Sequence, residues 1–166
     1  VPEKVTVESY VRGASMEAIA TENKKINRAL AATAAAMGAN VHLRDMPGYW
    51  PRRYDKNMVD TMLQAMNKVL DRVVYSPQGW STGCSDLGDV SMVFPAVHPT
   101  VGGAVGKGHG SDYFITDVYT ATVDSARVQA NMLVKLLEND GQRVEKIKAN
   151  FKAPFRSKEA FFQCID

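Results

Sequence analysis

Apolar and polar positions alternate at the start of the chain. Val5, Val7 and Tyr10-Val11 lie in a β-branched and aromatic run closed by Arg12-Gly13, which predicts a strand. Ser15 then stands where a helix cap is wanted. From Met16 onward Ile19, Ile26, Leu30, Ala34 and Met37 follow one another at seven, four, four and three, a single helical stripe that Gly38 is suited to stop. Asn40 to Met46 alternates again, so residues 1–46 read as a β-α-β unit. Residues 47–56, with two prolines and three aromatics, form a turn-rich connector that packs against something. Beyond it Asn57 is placed to cap a helix to about Val73, with Met58, Met62, Met66 and Leu70 four apart.

Residues 76–88 read as loop, Val90 to Val97 as a buried strand interrupted by Pro95, and Val101 to Val105 as another short one. Asp117 precedes the most regular stripe, Tyr119, Val123, Ala126, Ala130, Leu133 and Leu137, stepping four, three, four, three, four. The tail carries Phe151, Phe155, Phe161 and Phe162, available to dock on a larger body.

Composition narrows the class. The chain has 166 residues, 45% hydrophobic and 23% charged, with a net charge of +2, which fits a globular protein and not a disordered or collagen-like one. Charge is interspersed without a basic stripe, so no nucleic-acid partner is expected. No apolar run is long enough for a membrane helix, and no membrane partner is expected. Two widely spaced cysteines, Cys84 and Cys164, match neither a disulfide framework nor a CxxC motif, and a reducing cytoplasm is the default compartment.

Candidate chemistry concentrates in residues 82–112. The glycines from Gly102 to Gly110 invite a phosphate-loop reading, but Gly108 follows Lys107 where Ser or Thr is required, and Val101 stands where the first glycine should be. His109, between Gly108 and Gly110, is left unshielded. It is either a surface-loop residue, the commoner case, or a metal ligand or acid–base group. His98 before Pro99 reads as structural and His42 as solvent-facing. Asp86 and Asp89 are three apart in a glycine-containing loop, where they cap, bind metal or orient a histidine; capping is the commoner fate. Cys84 has no histidine near it in sequence, and a G-x-S-x-G elbow is absent. The methionine row is core rather than a cofactor box. Arg12 is either a solvated charge or a bidentate anchor for a substrate carboxylate.

Taken together, residues Val1 to Arg12, Ala34-Ala35-Ala36-Met37-Gly38, Ser85-Asp86-Leu87-Gly88-Asp89-Val90-Ser91 and Gly106-Lys107-Gly108-His109-Gly110-Ser111-Asp112-Tyr113 resemble zinc-dependent amidohydrolases of the aminoacylase and carboxypeptidase family, specifically the aminobenzoyl-glutamate hydrolase-like branch. The resemblance runs along nearly the whole chain in order. It implies an α/β fold: residues 1–50 as the last β-α-β part of a ferredoxin-like lid and dimerisation domain, and 51–166 as the C-terminal half of a three-layer α/β catalytic domain. The family's His-x-Asp motif, bridging Asp, catalytic Glu and lid His would then lie upstream, leaving this portion inactive alone.

By the same resemblance His109 matches a terminal metal ligand, which tips its reading toward ligation, and Arg12 matches the lid arginine that binds the substrate carboxylate. Gly102 and Gly103 match the glycine-rich backbone of the substrate pocket. The implied cofactor is zinc, two ions in the complete enzyme, with manganese or cobalt able to occupy similar sites. The implied substrates are N-acyl or aminobenzoyl amino acids, and the implied assembly is a homodimer through the lid, with a second chain carrying the N-terminal half as a further partner. Two rival readings are a non-catalytic dimerisation or assembly module, and, leaving the resemblance aside, a small anion-binding α/β domain.

Overall fold

A computed structural model describes residues 2–76 and 81–164. The first helix, α1 (Met16–Ala36), forms where the stripe predicts it. Ser15 caps it by accepting the N–H of Ala18 at 3.2 Å, and Gly38 ends it in the left-handed region at φ 67°. Its further elements are α2 (Lys56–Met66), α3 (Leu87–Val93), a two-residue hairpin of β1 (Ala104–Val105) and β2 (Phe114–Ile115), α4 (Ser125–Leu137), α5 (Gln142–Asn150) and α6 (Lys158–Phe162). A wide π-type turn, Tyr119–Asp124, leads into α4.

The expected three-layer α/β body with a ferredoxin-like domain is not what the chain forms. It is 46% helix and 3% strand, and β1 with β2 is the single sheet among the described residues. A strand needs a hydrogen-bonding neighbour at about 4.7–4.9 Å. The segments carrying Val5, Val7 and Val41 have the alternation of strands but form no strand among the described residues, and these side chains remain exposed. Residues 90–93, expected as a buried strand, instead complete α3, with Ser91 and Met92 buried. The expected strand 101–105 survives as β1.

The core sits between α2 and α4. Met62, Ala65 and Met66 of α2 pack with Val128 and Met132 of α4, joined by the partly buried Met58, Val69, Leu70, Val97 and Leu136. The methionine row is therefore core, with Asp55 and not Asn57 capping the helix through the N–H of Met58 at 3.0 Å. Val123 of the preceding turn and Leu133 and Leu137 of α4 are exposed, while Val128 (1% exposed) and Met132 (5%) of α4 face inward. The helix carries apolar residues on two sides, and α2 covers the other one.

Of the connector's three aromatics only Trp50 packs, while Tyr49 and Tyr54 stay exposed. Trp50 meets Phe155 edge-on at 4.9 Å and Phe161 at 6.1 Å between ring centroids, so the tail's aromatics dock on the chain's own connector. Gly88 permits this, since a Cβ there would collide with the Trp50 carbonyl.

The accessible surface is 12806 Å². A compact monomer of 18.2 kDa would expose about 8,100 Å². The excess is borne by residues 2–46, where α1 buries none of its residues, and by the hairpin and the outer side of α4. Asp45 ties this segment together, its Oδ2 accepting Nδ2–H from Asn23 at 2.8 Å and from Asn27 at 2.7 Å. Among the described residues no helix is long and apolar enough to cross a membrane.

Candidate functional site

His109 stands at the far end of the β1–β2 hairpin. The register pairs Ala104 with Ile115 and Val105 with Phe114, antiparallel, and residues 106–113 close the loop. Gly106 turns the chain at φ 91°, where a side chain would strike the backbone of Asp112. Within the loop the Gly110 N–H donates to the Lys107 carbonyl at 2.6 Å and the Tyr113 N–H to that of Gly110 at 3.2 Å. Asp112 accepts the Lys107 N–H at 3.4 Å, a long contact. These bonds hold His109 at φ 65°, a region that non-glycine residues seldom enter. Its imidazole is exposed and makes no side-chain hydrogen bond among the described residues.

The base of the hairpin is anchored at Gly103. Its carbonyl accepts the N–H groups of Thr116 at 2.9 Å and Asp117 at 3.0 Å. At φ 108° it also sits so close to the next helix that a Cβ would lie 2.6 Å from the Asp117 carbonyl oxygen and 2.9 Å from the Ala121 Cβ. Gly102 beside it is exposed with open space around its Cα. Asp117 caps the following turn, accepting the Thr120 N–H at 3.0 Å and its hydroxyl at 2.7 Å. The Thr120 backbone bond, followed by the hydroxyl bond, holds the Asp117 carboxyl below its ordinary value.

Arg12 lies apart from this hairpin in its contacts. Its Nη1 donates to the Thr82 carbonyl at 3.0 Å and its guanidinium stands 5.4 Å from the centroid of the Tyr10 ring. Arg12 and His109 share no hydrogen-bond partner, and no group of three or more His, Cys, Asp or Glu able to hold a metal occurs among the described residues.

The carboxylates of the Ser85–Ser91 segment divide their work. Asp86 opens α3 without a side-chain capping bond, whereas Asp89 Oδ1 accepts the Trp50 N–H at 2.9 Å. Fully buried Ser91 accepts the Arg53 N–H at 3.0 Å and donates to the Gly88 carbonyl at 2.6 Å. This segment clamps the connector, a role that local sequence does not signal because its partners are nearly forty positions away. Cys84 and Cys164 are free and exposed.

A second polar cluster went unread in the sequence. Arg52 donates from Nη1 to His98 Nδ1 at 3.1 Å and from Nη2 to Ser81 Oγ at 3.0 Å, beside the Thr82 carbonyl that holds Arg12. His98, expected to be structural, is exposed and bound to an arginine.

No family model, no curated protein and no solved structure matches the chain.

Proposed function

We propose that this chain is one part of a metal-dependent amidohydrolase acting on N-acyl or aminobenzoyl amino acids, to which it contributes His109 as a metal ligand and Arg12 as an anchor for the substrate carboxylate. The observation that carries the reading is the setting of His109: a bare imidazole held in a left-handed backbone conformation at the tip of a hydrogen-bonded, glycine-flanked loop. Such a loop spends conformational strain on presenting one side chain. Gly102 leaves backbone accessible beside the hairpin base, whereas Gly103 is packed against Asp117 and Ala121.

Zinc takes three or four protein ligands. His109 fits as one neutral nitrogen donor, but the described residues offer no second or third donor beside it. On this reading the remaining ligands and the general base are supplied by residues other than the described ones. The family's three-layer frame is no part of this proposal. What His109 does alone is offer a nitrogen at the hairpin tip, and what Arg12 offers is a planar set of N–H donors suited to a carboxylate.

A second reading, a non-catalytic assembly module, is favoured by the surface. The accessible area exceeds that of a compact monomer by roughly 4,700 Å², well beyond the ~800 Å² that each partner loses in a standard complex. The two readings part on metal and turnover. In the enzyme, His109→Ala lowers bound metal by one equivalent and abolishes most hydrolysis of N-acyl amino acids. In a module neither quantity depends on His109, and association persists without metal.

A further inference from the structure

The turn at residues 81–83 gathers two arginines and a histidine from three distant parts of the chain. Arg12 comes from the N-terminal segment, Arg52 from the connector and His98 from the stretch after α3. None of the ion pairs among the described residues involves any of them. All three are accessible, His98 and Arg12 exposed and Arg52 half-buried.

Hydrogen-bond roles decide what the cluster can accept. A guanidinium only donates, so His98 Nδ1 must be the acceptor of the Arg52 bond, and in the neutral ring the remaining hydrogen sits on Nε2. Ser81 Oγ likewise accepts from Arg52 and keeps its own O–H to give away. Arg12 uses one nitrogen on the Thr82 carbonyl and has further N–H groups left. Among the described residues the free hydrogen-bonding capacity of Arg12, Arg52 and Ser81 at the turn consists of donors, with two permanent charges among them. Gly83 keeps the approach open: a Cβ there would stand 3.4 Å from Arg52 Nη2 and 3.6 Å from Ser81 Oγ.

The geometry points to an oxyanion-binding site over residues 81–83, formed by Arg52 and Ser81 with Arg12 at its edge and His98 holding Arg52 in place, that takes a carboxylate or phosphate group of a small molecule. It shares Arg12 with the amidohydrolase reading but needs no metal, and it adds Arg52 as a ligand-binding residue and His98 as a positioning residue. Planar guanidinium groups match the paired oxygens of either anion.

The test is an NMR titration of the full chain with acetate and, separately, inorganic phosphate at constant ionic strength, following the His98 ring and the arginine side chains. Saturable shifts are expected with at least one of the two anions, and which one saturates distinguishes a carboxylate site from a phosphate site. Arg52→Gln is expected to weaken that binding by roughly tenfold or more, the effect of losing a charge-assisted hydrogen bond. Gly83→Asp, which places a carboxylate against Arg52 without demanding a left-handed backbone, is expected to do the same while the circular dichroism spectrum stays unchanged. Absence of saturation with both anions, or saturation unaltered in both variants, overturns the site. Zinc content measured on the same samples keeps this outcome separate from the fate of the metal reading.

Discussion

Asp89 accepts the backbone N–H of Trp50 at 2.9 Å, joining the first turn of α3 to the connector. A carboxylate that the sequence leaves open to metal binding or capping is thereby committed to holding two segments together. Asp89→Ala leaves the Trp50 N–H without its partner in a part-buried position. A loss of about 1.5–3 kcal/mol is expected, as for a hydrogen bond to a charged group. Urea unfolding followed by circular dichroism checks it, and a change below about 0.5 kcal/mol, the range of neutral surface substitutions, would show that the clamp contributes little.

Gly103 is the second point of sensitivity. Its φ of 108° and the 2.6 Å approach of a built Cβ to the Asp117 carbonyl oxygen mean that Gly103→Ala must move the hairpin or the following turn. The expected cost is about 1–3 kcal/mol. Gly102→Ala, with open space around it, is the matched control. Amide hydrogen exchange at Thr116 and Asp117, whose N–H groups both donate to Gly103, should quicken in the first variant and not in the second.

Asp117 gives the pH dependence a sign. Its carboxyl is held below the ordinary 3.8, first by the Thr120 N–H and then by the Thr120 hydroxyl. A depressed folded-state value means that the group stabilises the native turn above its unfolded-state value, and that this contribution is lost as pH falls from about 3.8 through the lower folded value. Thr120→Val removes the hydroxyl and keeps the backbone bond, so the Asp117 titration should move upward part of the way. Carbon-detected NMR titration of the side-chain carboxyl reads this directly.

The core between α2 and α4 is small, and its members are correspondingly sensitive. Met132 is 5% exposed and packs with Met62, Ala65, Met66 and Val128. Met132→Ala should destabilise by about 2–5 kcal/mol. Leu133→Ala, one position along and 59% exposed, should cost far less in the isolated chain. Comparable losses in thermal or urea unfolding would mean that the outer side of α4 is covered.

What could be read from sequence follows how local its cause is. Helix α1 was legible in both termini because Ser15 and Gly38 act within a few residues of the stripe they bound. The methionine row of α2 is legible from its four-residue spacing, but the helix is capped by Asp55 rather than Asn57 and ends at Met66 rather than near Val73. In α4 the stripe was found but the inward face was not, because apolar residues lie on two sides and only contact with α2 selects Val128 and Met132. The strands around Val5, Val7 and Val41 failed as sheet because alternation describes a preference, whereas a sheet requires a partner that the chain does not place beside them. The exposure of His109 is legible from the glycines on either side of it. The Arg52–His98–Ser81 cluster was not, since its members stand 46 and 29 residues apart in pairs and no spacing rule joins them.

The central claim is that His109 serves as a metal ligand in an amide-cleaving enzyme. Elemental metal analysis, paired with an N-acyl amino acid hydrolysis assay on the protein in the assembly purified from its source, tests it most directly when wild type is compared with His109→Ala. The account predicts bound zinc, or manganese or cobalt in its place, with hydrolysis in the wild type, and in the variant the loss of one metal equivalent and of most turnover. Metal content and turnover that are unchanged by the substitution, or a wild-type assembly that carries neither, would contradict it.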